Sequence, residues 1–205
     1  MYNPVLETTR DAASDSIVEK ALALLEAGDA SLYAALEELP APIYVTDSDG
    51  LVVYFNTPCI QFAGRTPIAG KDRWCVTWKL YTDDGEFLPH DKCPMAEAIV
   101  NKQPIRNVTA IAERPDGTRV NFMPYPTPLF HRNGELRGAV NVLIDVTDQR
   151  QASLLRAQAR RCARLSGSTG DSDVNATLNR LAHEYEAKAL ALESRGRQSR
   201  LAKPA

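Results

Sequence analysis

The sequence predicts an α+β domain: a five-stranded antiparallel sheet with a long helical insert, flanked by helices at both ends. Three observations carry this. Residues 1–39 and 148–165 repeat apolar residues at helical spacing. Between them, three Asx-Gly pairs each separate two runs rich in β-branched and aromatic residues. A stretch with helix-like pieces, 56–103, interrupts the strands after the first pair.

Each element follows from local chemistry. Ser16-Ile-Val-Glu19 is a capping-box pattern, and Ile17, Ala21, Leu24 and Leu25 form an apolar face. Gly28 fits the end of that helix. Asp29 caps a second one carrying Leu32, Ala35 and Leu36. Pro40 and Pro42 stop helical structure, because a residue before proline is pushed out of the helical region. Asp49-Gly50 then separates IYVTD from LVVYF, Asp116-Gly117 separates NVTAIAER from TRVNFMP, and Asn133-Gly134 separates PTPLF from ELRGAVNVLID. Asx-Gly supplies the positive φ angles of tight hairpin turns. In the insert, Asn56 caps a helix over 57–62. Asp91 caps another over 92–101, with Pro94 tolerated in its first turn.

Beyond the sheet, the helix of 149–165 sets Ala152, Leu155, Ala159 and Cys162 on one side and carries five arginines: Arg150, Arg156, Arg160, Arg161 and Arg164. A flexible Ser/Gly joint follows. A last amphipathic helix over 172–194 places Val174, Leu178, Leu181, Tyr185 and Leu192 near heptad positions. Residues 195–205 read as a basic disordered tail.

Composition narrows the function classes. The 205 residues are 44% hydrophobic and 24% charged, as in globular proteins, and suffice for one domain with extensions. A net charge of −2 lacks the bulk basicity of a nucleic-acid binder, so nucleic acid is not an expected partner. No run of 18 apolar residues exists to span a membrane. The start MYNPVLETTRD has no apolar region of a secretory signal. Cys59, Cys75, Cys93 and Cys162 lie far apart without a CxxC, which fits free thiols in the cytoplasm.

Turn spacing sets a strand register. With Asn133-Gly134 as a two-residue turn, Pro128 faces Ala139, Pro126 faces Asn141, Pro124 faces Leu143 and Phe122 faces Asp145. The same argument across Asp116-Gly117 sets Phe122 against Ile111. The face so defined is apolar except for Asn141. The opposite face carries Val140, Val142, Ile144 and Val146. Both need cover, from the insert and from the N-terminal helix. Pro124, Pro126 and Pro128 remove three N–H donors, so the preceding strand should not pair beyond about residue 123. A buried Asn141 must find partners, either in the core or in a ligand.

Strand–strand, short helices, then a three-strand meander ending in Asp-Val-Thr is the order of a PAS domain. Residues 40–148 resemble one through LPAPIYVTDSDG, YFN, ERPDGTRV and GAVNVLIDVTDQR. The segment DRWCVTWKLYTDDGEFLPHDKCPMAEAI is similar to PAS modules of alphaproteobacterial sensor kinases. The resemblance implies a sensory and interaction module. A concave sheet face with the helices encloses a small ligand, signals leave through flanking helices, and homodimers are common. It also implies that Tyr44, Thr46, Phe122, Pro124, Asn141 and Leu143 point inward. With Phe55, Trp74, Trp78 and Ile111 they make the candidate ligand-binding set. Flavin-binding light sensors of the family carry a reactive Cys in N-C-R-F-L-Q. That run is missing, which speaks against flavin. No kinase domain is expected to follow, and His183 lacks the flanks of a phospho-accepting histidine.

Other chemistry is thin. Gly64–Asp72 has one residue too many for a P-loop and Asp where Ser or Thr is needed. His183-Glu184 lacks the second His of a zinc-protease helix. No Ser, His and Asp arrangement suggests nucleophilic catalysis, so no enzyme is expected. His90, Cys93 and Cys75 are metal-ligand types that a compact insert could bring together. As small hydrophobes and a cap they have an equally simple explanation. Cys93-Pro94 is also the dipeptide of haem-responsive proteins. The expected function is therefore a non-catalytic PAS sensor acting on a protein partner. The alternatives are a haem, metal or redox sensor using Cys93, His90 or Cys75, and a PAS-type transcriptional regulator.

Overall fold

The computed structural model describes residues 12–27, 32–168 and 170–201. The expected turn at Gly28 and Asp29 and the tail beyond residue 201 lie outside them. The chain forms two compact units, one ending at Asp145 and the other starting at Val146. No helix among the described residues is long and apolar enough to cross a membrane.

The first unit opens with α1 (Ala12–Ala27) and α2 (Leu32–Glu37). β1 (Ile43–Asp47) and β2 (Val52–Phe55) follow, then α3 (Thr57–Ala63). β3 (Lys79–Tyr81), β4 (Phe87–Leu88) and α4 (Pro94–Asn101) complete the insert. β5 (Ala110–Glu113), β6 (Arg119–Pro124), β7 (Thr127–Phe130) and β8 (Leu136–Asp145) close the sheet. The strand order is β2-β1-β8-β6-β5-β3-β4, with β7 also paired to β8, and every pairing is antiparallel. The α+β class stands, but the sheet has eight strands where five were expected. A β3–β4 hairpin adds two at the edge. The strand spanning 118–130 breaks into β6 and β7 at Tyr125 and Pro126.

All four hairpins use one turn. Asp47, Thr82, Arg114 and His131 each donate their N–H to the carbonyl four residues on, at 2.8 to 2.9 Å. Each also accepts from the glycine of its turn. Gly50, Gly85, Gly117 and Gly134 have φ between 81° and 86°, while the Asx residues before them are not left-handed. The loops are therefore three residues long, not two. Across Asp116-Gly117 this shifts the register by one, so Phe122 faces Ala110 and Ile111 faces Asn121. Across Asn133-Gly134 a bulge between Leu129 and Phe130 cancels the shift. Pro128 then faces Ala139, Pro124 faces Leu143 and Phe122 faces Asp145, as the spacing predicts. The β5–β6 ladder ends at Ala110 and Phe122, just short of the prolines.

The outer face is lined by buried Ile43, Val45, Val140, Val142 and Ile144, and α1, with Val18 and Ala21 buried, packs on β8 and α2. The concave face carries the main core, closed by α3, α4 and the loop before β3. Asn56 holds the N-cap position of α3 but its side chain makes no cap hydrogen bond. Fully buried, it turns back to accept from Ile43 N–H at 2.8 Å and donate to the carbonyls of Leu36 and Ala41. It thereby ties α2 to the first strand. α4 begins at Pro94 with Cys93 as N-cap, rather than at Lys92 with Asp91 as cap, because the residue before a proline is pushed out of the helical region and Cys93 is extended, with ψ 162°. His90–Lys92 forms a single 3₁₀ turn.

The second unit is a helical hairpin, α5 (Thr147–Ser166) and α6 (Ser172–Leu201). Asp148 meets Arg195 at one end, and Ser166 donates to Asn175 and Asn179 at the other, so the helices run antiparallel. Arg156 reaches both Glu186 and Glu193 between them. Leu178, Leu181, Tyr185 and Leu192 are half-buried and Ala189 is fully buried, while Val174 stays exposed. α6 runs past Ser194 to Leu201, where the sequence reading had a disordered tail.

Candidate functional site

The sheet builds the concave face by alternation. Tyr44 pairs with Asn141 and Thr46 with Ala139, so all four side chains share it. Leu143, Pro124 and Phe122 continue the face across β8 and β6. Tyr44, Thr46, Phe122, Asn141 and Leu143 are each buried to within 2% of complete. Phe55, opposite Tyr44 on β2, and Trp74 pack against the same cluster while partly exposed. Two expected members fall elsewhere. Ile111 lies on the other side of the sheet because of the three-residue turn. Trp78 is 53% exposed, outside the core.

Polar groups form a chain across this apolar surface. Asn141 Nδ2 donates to the Tyr44 hydroxyl at 3.1 Å, and Asn141 Oδ1 accepts from the Tyr125 N–H at 2.9 Å. The Tyr44 hydroxyl donates to the Trp74 carbonyl at 2.9 Å. That carbonyl is aimed by an unusual backbone: Trp74 has φ 69°, left-handed for a bulky residue. The Trp74 N–H is held by the Gly50 carbonyl at 2.7 Å. Thr46 Oγ1, by contrast, is buried without a hydrogen-bond partner.

Cys75 and Cys93 sit beside this chain. Cys75 Sγ is 3.1 Å from Thr77 Oγ1, and Thr77 Oγ1 stands 3.5 Å from His90 Nε2. The Cys93 thiol is directed at the Trp74 carbonyl, 3.8 Å away. Burial pushes the Cys93 thiol up to about 12, helped by Cys75. Burial also raises Cys75 and, with Cys75 and Cys93 nearby, Tyr44. Burial, then the Arg65 charge, lowers His90. These groups are held neutral, which suits packing rather than nucleophilic attack. All four cysteines are free. Among the described residues no three His, Cys, Asp or Glu side chains gather to hold a metal, and His90, Cys93 and Cys75 are no exception.

Sequence reasoning missed Leu80, Thr77 and the Trp74 carbonyl. Leu80 was within reach: Asp84-Gly85 carries the same turn signal as the other hairpins, and the three-residue loop places Leu80 against Ala112 on the concave side. A left-handed Trp has no signature in sequence.

The PAS domain family model matches residues 40–148. No curated protein matches the chain. Among solved structures, an RNA-binding light-oxygen-voltage receptor is 23% identical over 61% of this chain and 34% of its own, with TM-score 0.44. The chain thus spans about a third of that receptor's length. The PAS domain of the fruit-fly ELK potassium channel is 15% identical over 53% of this chain and 88% of its own, TM-score 0.44. The Rhodobacter sphaeroides LOV protein is 15% identical over 88% of this chain and 98% of its own, TM-score 0.38. With its antiparallel sheet, its covering helices and a family match over more than half of its 205 residues, the chain belongs to the PAS domain family of sensory modules.

Proposed function

We propose that the protein is a non-catalytic sensor. Its concave face takes a small ligand, and the helices after β8 pass the occupied state to a partner protein in the cytoplasm. Asn141 carries this reading. It is the polar residue in the middle of β8, joined to Tyr44 on the facing strand and to Tyr125 on the chain leading into β7. Anything seated against that amide bears on β8, and only Val146 separates β8 from α5. The four free thiols support the compartment.

A homodimer belongs to the proposal. α1 packs on α2 and β8 with Val18 and Ala21 buried, and α5 packs along α6. Surface remains at the far end of the outer face. There Tyr81 contacts Phe87 edge-on at 6.0 Å, pairs with Ile111 and lies under Arg119, and Phe87 is 61% exposed.

Native mass spectrometry of the protein purified from its own host tests both parts. An added mass that is lost on unfolding, on a dimer, is the expected spectrum. A bare chain with no co-purifying molecule counts against sensing, and a monomer at high micromolar concentration counts against the dimer.

A further inference from the structure

We infer that the concave face takes an uncharged ligand whose hydroxyl, carbonyl or amide pairs with the Thr46 hydroxyl. This rests on the ligand-binding reading above and adds the chemical class.

Thr46 and Arg65 hold the two buried side-chain polar atoms without a partner among the described residues. The two cases differ. Arg65 reaches Asp72 at 2.7 Å through another nitrogen and keeps part of its side chain in solvent. Thr46 has only one polar atom, and the residue is 2% exposed. A buried hydroxyl without a partner is an unmet donor and two unmet acceptor positions. Native structures rarely leave such a group alone. Its polar neighbours are already engaged. The Tyr44 hydroxyl is spent between Asn141 and the Trp74 carbonyl, and Asn141 Oδ1 on the Tyr125 N–H. Across the ladder from Thr46 stand Ala139 and Val52, which offer no hydrogen bond from their side chains. A polar atom from outside the chain would complete it.

The charge of that ligand follows from the buried inventory. The buried polar side chains among the described residues are Thr46, Asn56, Thr77, Asn141 and Ser166, and none carries a charge. In the insert, Arg65 and Asp72 already pair with each other at 2.7 Å. An anion or cation brought against Thr46 would lose its water and meet no opposite charge. A neutral molecule with one polar group loses little and gains the hydroxyl. Phe122, Leu143 and Tyr44 supply apolar contact for the rest of it.

The test uses the full chain and variants T46V and T46S. T46V keeps the shape and removes the hydroxyl; T46S keeps the hydroxyl. The probes are cyclohexanol, phenol and 2-naphthol, each against its matched carboxylate: cyclohexanecarboxylate, benzoate and 2-naphthoate. Binding is read by calorimetry at pH 7.5. At least one alcohol is expected to bind the wild type and T46S, and to bind T46V about tenfold more weakly, the loss of one hydrogen bond. The carboxylates are expected not to bind. Without any probe, T46V is expected to melt at or above the wild type, since an unmet hydroxyl has been removed. A carboxylate that binds as tightly as its alcohol overturns the inference but leaves the sensing reading standing. So does alcohol binding that T46V does not weaken. A T46V protein that melts below the wild type shows that Thr46 has a partner within the chain, and overturns it as well. Failure of all three alcohols also sinks it; the host-purified mass spectrum then judges sensing separately.

Discussion

Gly50 lies directly beneath the indole of Trp74: a Cβ on Gly50 would stand 2.2 Å from the ring. The glycine is also left-handed, with φ 81°. Gly50→Ala must therefore both strain the turn and displace the ring. The two effects should destabilise the first unit by about 2–3 kcal/mol. A melting temperature lowered by several degrees, with loss of tryptophan near-ultraviolet signal, is the expected outcome. Unchanged melting would mean that Trp74 moves freely.

Gly138 is a harsher case. At φ 152° on β8, its missing side chain lets the Thr46 carbonyl approach; a Cβ there would lie 1.9 Å from that oxygen. Backbone cannot yield as a flexible side chain can. Gly138→Ala should part β1 from β8 and cost upwards of about 4 kcal/mol, enough to unfold most domains of this size. Circular dichroism of the purified variant checks this, and a native spectrum would refute it.

Asn141→Leu removes an amide that meets Tyr44 and the Tyr125 N–H. The Tyr125 N–H retains the Val142 carbonyl, so the unpaired groups are few. A loss of about 1–3 kcal/mol in urea denaturation is expected. Stability equal to the wild type would show the amide to be spare in the fold.

His90 gives the unit a pH dependence. Its pKa in the folded chain lies below the ordinary 6.5, chiefly because burial disfavours the charged ring. Below 6.5 the unfolded chain binds a proton that the folded chain resists. Stability from this group is therefore complete above 6.5 and falls as pH drops through 6.5 to the lower folded value. Denaturation midpoints measured from pH 8 to pH 5 should decline over that window in the wild type and decline less in His90→Gln. Glu113 and Asp116 have lowered pKa values from their Arg119 and Thr118 hydrogen bonds, and act only at more acidic pH. Parallel curves for wild type and variant would remove His90 from the account.

Deleting residues 172–205 takes α6 away from α5. The first unit should keep its melting temperature. α5, a single helix of 20 residues without its partner, should lose much of its helicity, because isolated helices of that length are marginal in water. Helical signal lost beyond the share of α6 is the measurement. A first unit melting lower by about 5 °C or more would show that α6 supports it.

Much of this was legible from turns and alternation. Asx-Gly pairs located the hairpins, and period two put Phe122, Asn141 and Leu143 on one face, while the PAS resemblance added Tyr44 and Thr46 to it. What failed was loop length. A two-residue and a three-residue Asx-Gly turn look alike in sequence, yet they differ by one step of register, and one step moved Ile111 to the wrong face. The same error beside Asn133-Gly134 was hidden by a compensating bulge. Trp78, expected in the ligand-binding set, failed for another reason: it precedes strand β3 and stands 53% exposed. Asn56 was read as a cap because its position is one, while its side chain answered a longer-range need at Ile43, Leu36 and Ala41.

The ends of the sheet bear on how the protein behaves when crowded. A bare strand edge recruits other strands and seeds aggregates. At one end, Val52 of β2 spends its N–H on the Asp72 carbonyl and its carbonyl on the Gly70 N–H, so the start of that edge strand is already paired. At the other, β4 has two residues and is followed by Pro89, too short a ledge for a foreign strand to hold. β7 shields its flank with Pro126 and Pro128, which have no N–H to give, and with Arg106 clasping the Pro126 carbonyl. Edges guarded in this way leave little backbone for a foreign strand to pair with, which lowers the tendency to polymerise through the sheet.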